Sequence, residues 1–206
     1  VPRPLEGIRV VEFSHMVMGP TCGLILADLG ADVVKVEPAP EGDKTRRLPG
    51  SGAGYFGTYN RNKRSVSVNL KSVHGLKFAT DLVRASDVLL ENFGAGVLDR
   101  LGLGYDAMQE INPSLVYCAL KGFLSGPYEQ RAALDEVVQM MGGLAYMTGP
   151  EGRPLRAGAS VNDVMGGLFG VIAIQAALWE RQRTGKGTFV RSGLFENNMF
   201  HVAQHM

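Results

Sequence analysis

Near the start of the chain, two short apolar runs flank one helical pattern, and this arrangement restricts the fold more than any other feature. Ile8-Arg9-Val10-Val11-Glu12-Phe13 is a β-branched run. After Ser14-His15 and Gly19-Pro20, the segment Thr21–Leu29 reads as a helix that ends at Gly30, and Asp32–Glu37 is a second strand. Pro20 suits the first turn of that helix. Strand–helix–strand at this spacing is a parallel, right-handed crossover unit, so the chain builds a parallel sheet layered with helices.

The same alternation continues along the chain. Pro38 to Gly57 is rich in glycine, proline and charge, and reads as a loop over an edge or a site. Its Gly50-Ser51-Gly52-Ala53-Gly54 fails as a dinucleotide fingerprint, because no strand leads into it directly and no helix follows. Strands are expected at Ser65–Leu70, Asp87–Asn92, Leu115–Leu120 and Thr188–Ser192. Helices are expected at Val73–Ala85, Val97–Leu101, Tyr105–Ile111, Leu134–Tyr146 and from Val164 to Trp179, with a loop over Thr148–Gly158. The fold class is therefore α/β, a Rossmann-like, doubly wound, mostly parallel sheet. Ligands in such sheets sit beyond the C-terminal strand ends, where Asn92-Phe93-Gly94 falls.

At 206 residues and 45% hydrophobic content, the chain has enough material for one sizeable core. The net charge of +1 argues against a strongly basic nucleic-acid binder. Cys22 and Cys118 lack metal-ligand or CxxC spacing and read as reduced, buried thiols of a cytoplasmic protein. No signal-peptide pattern and no charge-free apolar run of bilayer length is expected, since Gln175 interrupts the Leu168–Trp179 region. Neither a membrane nor a nucleic acid is expected as a partner. Leu194–Val202 reads as a helix, and no capping glycine or proline follows before Met206; the expectation is a segment of a longer polypeptide.

The longest helical pattern opens at Ser160-Val161-Asn162-Asp163. Ser160 and Asn162 are candidate N-caps, which places Asp163 in or beside the first turn, where the helix dipole favours an ionised carboxylate by about 0.3–1 kcal/mol. Such a carboxylate is either an anchor for the helix or a nucleophile. Gly166 and Gly167, one turn on, serve either tight helix–helix packing or close approach of something to the backbone.

Several segments, in order and at matching spacing, resemble the class III CoA-transferases, the formyl-CoA transferase-like family. They are Pro4–Val10, Leu29–Glu37, Asn62-Lys63-Arg64-Ser65, Glu91-Asn92-Phe93, Leu98–Gly102, Lys121-Gly122-Phe123, Thr184–Gly187 and the acid that opens the long helix. The resemblance implies that residues 1–206 are a Rossmann-like, CoA-binding large-domain segment. It also implies a smaller second domain contributed by later residues and an interlocked homodimer. Coenzyme A is then a substrate and acyl carrier, exchanged with a small carboxylic acid, and no metal is required. Asp163 is implied to be the residue that becomes acylated, with Gly166 and Gly167 admitting backbone to the thioester. His15, Val17 and Met18 match the loop facing the thioester. Val68 and Lys71 match positions near the adenine and phosphates, and Asn92, Phe93, Arg100 and Leu101 match the wall along the nucleotide and pantetheine. Lys71 and Arg100 suit phosphate charge on physical grounds as well.

The chain also departs from the family pattern. Val17 stands where formyl-CoA transferases carry glutamine, which argues against an oxalate-type substrate. Pro38 replaces an arginine, so the adenine pocket must differ, and a lysine is replaced near Ala132, beside Arg131. The related α-methylacyl-CoA racemases use a histidine where this chain has Leu134, and leucine cannot accept a proton. Asp135 reads as a helix-start residue or supporting acid. The leading expectation is an acyl-CoA:carboxylate CoA-transferase for small dicarboxylic acids; the alternatives are an acyl-CoA racemase or isomerase, and a non-catalytic CoA-binding fragment.

Overall fold

The computed structural model describes residues 3–205. The described chain builds one six-stranded, all-parallel sheet from β1 (Arg9–Phe13), β2 (Asp32–Pro38), β3 (Arg64–Val68), β4 (Val88–Glu91), β5 (Val116–Lys121) and β6 (Phe189–Gly193). The strand order is β3-β2-β1-β4-β5-β6, the doubly wound order, which reverses between β1 and β4. The predicted parallel unit appears as β1, α1 (Met18–Asp28) and β2, with Val10 beside Val33 and Glu12 beside Lys35.

Both faces of the sheet are covered, and the strands show why their sequences are apolar without a break. Side chains alternate across a strand, so Val10, Leu90 and Cys118 enter one core while their neighbours Val11, Leu89 and Tyr117 enter another. The first core is closed by α1 and the long helix. The second is closed by α3 (Val73–Arg84), α4 (Val97–Arg100) and α5 (Tyr105–Ile111), through residues such as Ala79, Val83, Leu98 and Met108. Cys22 and Cys118 are free thiols buried in the first core.

Three local expectations are corrected. The segment after β2 is not a plain loop: it carries 3-10 turns at Lys44–Arg47 and Gly50–Gly54 and the short helix α2 (Tyr55–Tyr59). Glu37 pins this segment, accepting hydrogen bonds from Arg46 Nε at 2.7 Å, Arg46 Nη2 at 2.8 Å and the Asp43 backbone N–H at 2.8 Å. The helix expected over Leu134–Tyr146 breaks into α6 (Asp135–Met141) and α7 (Leu144–Thr148), because Gly143 adopts φ +86°, a left-handed conformation that ends the helical path. The long helix α8 (Val161–Thr184) starts earlier and ends later than expected, closing at Gly185 with φ +69°.

By length and composition α8 as a whole reaches what a bilayer crossing needs, although its charge-free stretch is bounded by Asp163 and Glu180 as expected. One side of it is buried: Gly166, Gly167, Gly170, Val171 and Ile174 face α1 and the sheet. Helix α9 (Leu194–Val202) follows β6 directly, and its Asn198 Nδ2 donates to Val138 O at 3.0 Å, tying it to α6.

Candidate active site

Two loops meet where the strand order reverses. His15 follows β1 and Asn92 follows β4, and their approach leaves a crevice at the C-terminal edge of the sheet. The Asn92 side chain spans it, with His15 N–H donating to Asn92 Oδ1 at 3.0 Å and Asn92 Nδ2 donating to His15 O at 2.9 Å. A cavity of about 300 Å³ opens here; His15, Val17, Met18, Asn92 and Asp163 all line it. Five predicted site residues, from three separate segments, therefore share one space.

Asp163 enters this cavity from the first turn of α8. Neither expected cap operates. Ser160 makes no side-chain cap, and the Asn162 amide is buried with both of its polar atoms unpaired. The cap comes from another helix: Asp135, the first residue of α6, accepts hydrogen bonds through Oδ2 from the Asn162 N–H at 2.7 Å and the Asp163 N–H at 2.9 Å. Gln139, one turn further along α6, donates to Asp135 Oδ1 and accepts the Ala157 N–H at 2.7 Å, so the strap before α8 is held as well.

The charge state of Asp163 also differs from the expectation. Burial in the crevice, then the like charges of Asp135 and Glu136, push its pKa up to about 7, outweighing what the helix start gives. Among the described residues, no donor hydrogen-bonds to its carboxylate oxygens. His15 is held below its ordinary value by burial, then by Lys35 and Lys44, against an upward pull from Asp43.

Gly166 and Gly167 serve packing. A Cβ at Gly166 would meet Met18 Cε, and one at Gly167 would lie 2.8 Å from Thr21 Cβ and 2.9 Å from Met18 O. Their backbone faces α1, which overturns the expectation that it admits a thioester. Close seating of α1 on α8 is what brings Val17 and Met18 beside Asp163.

The other predicted contacts lie further out. Phe93 lies tilted against the His15 ring at 5.7 Å between centroids and, with Leu101, packs against the second core. Val68 is buried at the end of β3, and Lys71 is exposed just beyond it; neither lines the Asp163 cavity. Arg100 lines a neighbouring cavity of about 500 Å³. Arg131 stands over the Tyr128 ring at 4.4 Å, away from the Asp163 cavity.

Sequence reasoning missed Lys121. It ends β5, pairs with Glu91 at 2.5 Å, donates to Phe93 O at 2.8 Å, and lines both cavities. Its position at a strand's C-terminal end was the available signal. Among the described residues, no group of three or more His, Cys, Asp or Glu side chains is placed to hold a metal ion.

The family model described as CoA-transferase family III matches residues 5–206. The chain belongs to this family. Among its family III relatives, the formyl-CoA:oxalate CoA-transferase of Streptomyces coelicolor is 47% identical over 190 residues, covering 90% of this chain and 46% of the relative. The human succinyl-CoA:glutarate CoA-transferase is 38% identical over 210 residues, covering 98% of this chain and 48% of the relative. A CaiB/BaiF family protein from Brucella suis superposes with a TM-score of 0.93 at 42% identity, over 99% of this chain and 56% of that one. The chain thus spans about half the length of the family III relatives it matches.

Proposed function

We propose that this chain carries the nucleophile-bearing half of an acyl-CoA:carboxylate CoA-transferase, with Asp163 as the residue that becomes acylated. One observation carries the reading: at the sheet's switch point, a carboxylate with no hydrogen-bond donor among the described residues faces a cavity shared with His15, Asn92, Val17 and Met18. The names of the family III relatives support the reaction class.

In this reading the ionised Asp163 oxygen attacks the thioester carbonyl of the donor acyl-CoA. The carbon–sulfur bond breaks, CoA leaves as thiolate, and a mixed anhydride remains on Asp163. The thiolate attacks the aspartyl carbonyl, releasing the donor acid and leaving an aspartyl-CoA thioester. The acceptor carboxylate attacks that thioester, and the expelled thiolate then takes the acceptor acyl group, restoring Asp163. Thioester free energy is conserved throughout, so no ATP is consumed. Val68, Lys71, Phe93, Arg100 and Leu101, outside the cavity, fall to the nucleotide and pantetheine length of CoA, with Lys71 and Arg100 suited to its phosphates.

We assign the acceptor to the small dicarboxylates. Oxalate and glutarate, for which the two relatives are named, both belong to that class. Val17 presents an apolar wall with no donor for a second carboxylate, which favours a longer acid than oxalate. Leu134, exposed on the cavity rim, offers no base for proton transfer, so racemisation through that position is disfavoured. The apolar side chains Leu168, Ile172 and Trp179 lie exposed along α8, and we read that face as covered in an interlocked homodimer or by a second domain.

The test is hydroxylamine trapping on the full-length protein incubated with acyl-CoA. Hydroxamate at residue 163 is the expected product. Asp163→Ala should abolish CoA exchange while CoA still binds; exchange that persists in this variant refutes the assignment.

A further inference from the structure

The first turn of helix α8 has one local partner, Ala159 O, which accepts the Val161 N–H at 2.9 Å, and no side-chain cap from its own sequence. The first turn of any helix presents N–H groups that have no partner within the helix, and here the residue at the cap position, Ser160, satisfies none of them. Asp135 satisfies two from a separate helix, one of them the N–H of Asp163 itself. The arrangement is dry and interlocked. Asp135 is 3% exposed and Gln139 is 0% exposed. Gln139 fixes the second Asp135 oxygen and, through the Ala157 N–H, the strap that leads into α8. Among the described residues the Asp163 carboxylate has no hydrogen-bond partner, so its position in the cavity follows from its backbone and from what holds that backbone.

We propose that Asp135, locked by Gln139, is the positioning residue of the transfer reaction, setting from outside the helix where the Asp163 carboxylate stands. The proposal rests on the reading of Asp163 as the acylated residue. It assigns Asp135 two separable effects. The first is geometric: its acceptor oxygen fixes the first turn of α8, and a small misplacement of an attacking atom is costly in rate. The second is electrostatic: its fixed negative charge opposes ionisation of Asp163, leaving a more basic and so more nucleophilic carboxylate once it is ionised. The other charged or titratable groups facing that carboxylate are Glu136 from α6, Tyr55 and Tyr59 from α2, His15 after β1, Lys121 from β5 and Arg156 from the strap.

Two substitutions in the full-length protein separate these effects. Asp135→Asn keeps an oxygen that accepts from both N–H groups and removes the charge, and gives up the Gln139 bond, whose donor then meets the asparagine NH2. Transfer should persist within about tenfold, and the acidic limb of kcat/KM should move to lower pH. Asp135→Ala removes the acceptor too; kcat should fall about 100-fold or more, with KM for acyl-CoA changed by less than about threefold. An unmoved acidic limb in Asp135→Asn, or a loss in Asp135→Ala that appears in KM alone, overturns the proposal. If Asp135→Ala fails to fold, the acidic limb of Asp135→Asn decides. Asp163→Ala in the same assay keeps the two readings apart. Exchange surviving there defeats the assignment of Asp163, whereas a dead Asp163→Ala beside a fully active Asp135→Ala defeats only the positioning role.

Discussion

Asn92 and His15 bracket the switch point of the sheet through a reciprocal pair of hydrogen bonds, one donated by each residue, at 3.0 and 2.9 Å. The carboxamide supplies an acceptor and a donor on one planar group, which neither aspartate nor a hydrophobic residue does. It thereby fixes the loop after β1, which leads through Val17 into α1 at Met18, against the end of β4. Asn92→Ala should cost about 1 kcal/mol of stability, since the bracket is partly open to solvent, and should weaken CoA binding about tenfold. Asn92→Asp should weaken binding further, because it loses the donor to His15 O and adds negative charge beside Asp163. Urea denaturation and calorimetric titration of the full-length protein with CoA measure both effects.

Gly167 and Gly166 separate a rigid contact from a yielding one. An alanine methyl at residue 167 meets the Thr21 Cβ at 2.8 Å and the Met18 carbonyl oxygen at 2.9 Å, atoms that cannot move without shifting α1. At residue 166 the nearest atom is the end of the flexible Met18 side chain. Overpacking of this kind costs about 1–3 kcal/mol, against about 1 kcal/mol gained from alanine's helix propensity. Gly167→Ala should therefore destabilise by about 1–2 kcal/mol, towards the upper end of that balance, and Gly166→Ala by less, as read from denaturation midpoints. Protein that remains folded should still exchange CoA if the glycines serve packing.

Much of this architecture was legible because parallel strands buried on both faces carry nearly unbroken apolar runs, as Val10-Val11 and Leu89-Leu90 do. Asp163 was legible because a helix start and an acid coincide there. Its raised pKa was not, since burial and the approach of Asp135 join residues separated by 28 positions. The split between α6 and α7 depends on the left-handed conformation of Gly143, and glycine alone does not announce which conformation it takes. The segment after β2 read as loop because its order comes from contacts, chiefly Glu37 with Arg46 and Asp43 with Lys35, rather than from hydrophobic period.

Lys35 presents the clearest such contact. It reads as an ordinary polar residue of a strand, yet its side chain is 1% exposed and lies 3.1 Å from Asp43 and 3.4 Å from Glu12, while Lys63 approaches Glu12 at 2.8 Å. Two cations and two anions balance beneath the crevice. Burial acts to raise the Asp43 pKa, but Lys35 and hydrogen bonds from Thr45 hold it below its ordinary value. Lys35→Met leaves Asp43 without its cation and Glu12 with one instead of two, and should cost about 3–5 kcal/mol. Adding Asp43→Asn, which neutralises the stranded carboxylate and keeps an oxygen for Thr45, should recover part of that loss. Chemical denaturation of the single and double variants checks both, and a Lys35→Met variant as stable as the parent would mean that the network contributes nothing.

Asp163 itself should weaken the fold it sits in. Its pKa of about 7 lies above the ordinary 3.8, so between those values the folded chain holds a proton that the unfolded chain has released. Stability from this group therefore falls as pH rises through that window, and above about pH 7 the cost is complete, on the order of 2 kcal/mol for a half-buried carboxyl. Asp163→Asn removes the ionisation and with it the cost. The variant should be more stable than the parent at about pH 8, and the advantage should shrink as pH is lowered towards about 4. Denaturation midpoints measured across that range test this, with parallel curves for the two proteins counting against a raised Asp163. The same titration should appear in catalysis with the opposite consequence: in the proposed role of Asp163 the attacking oxygen is the ionised one, so the transfer rate should climb as pH passes through about 7.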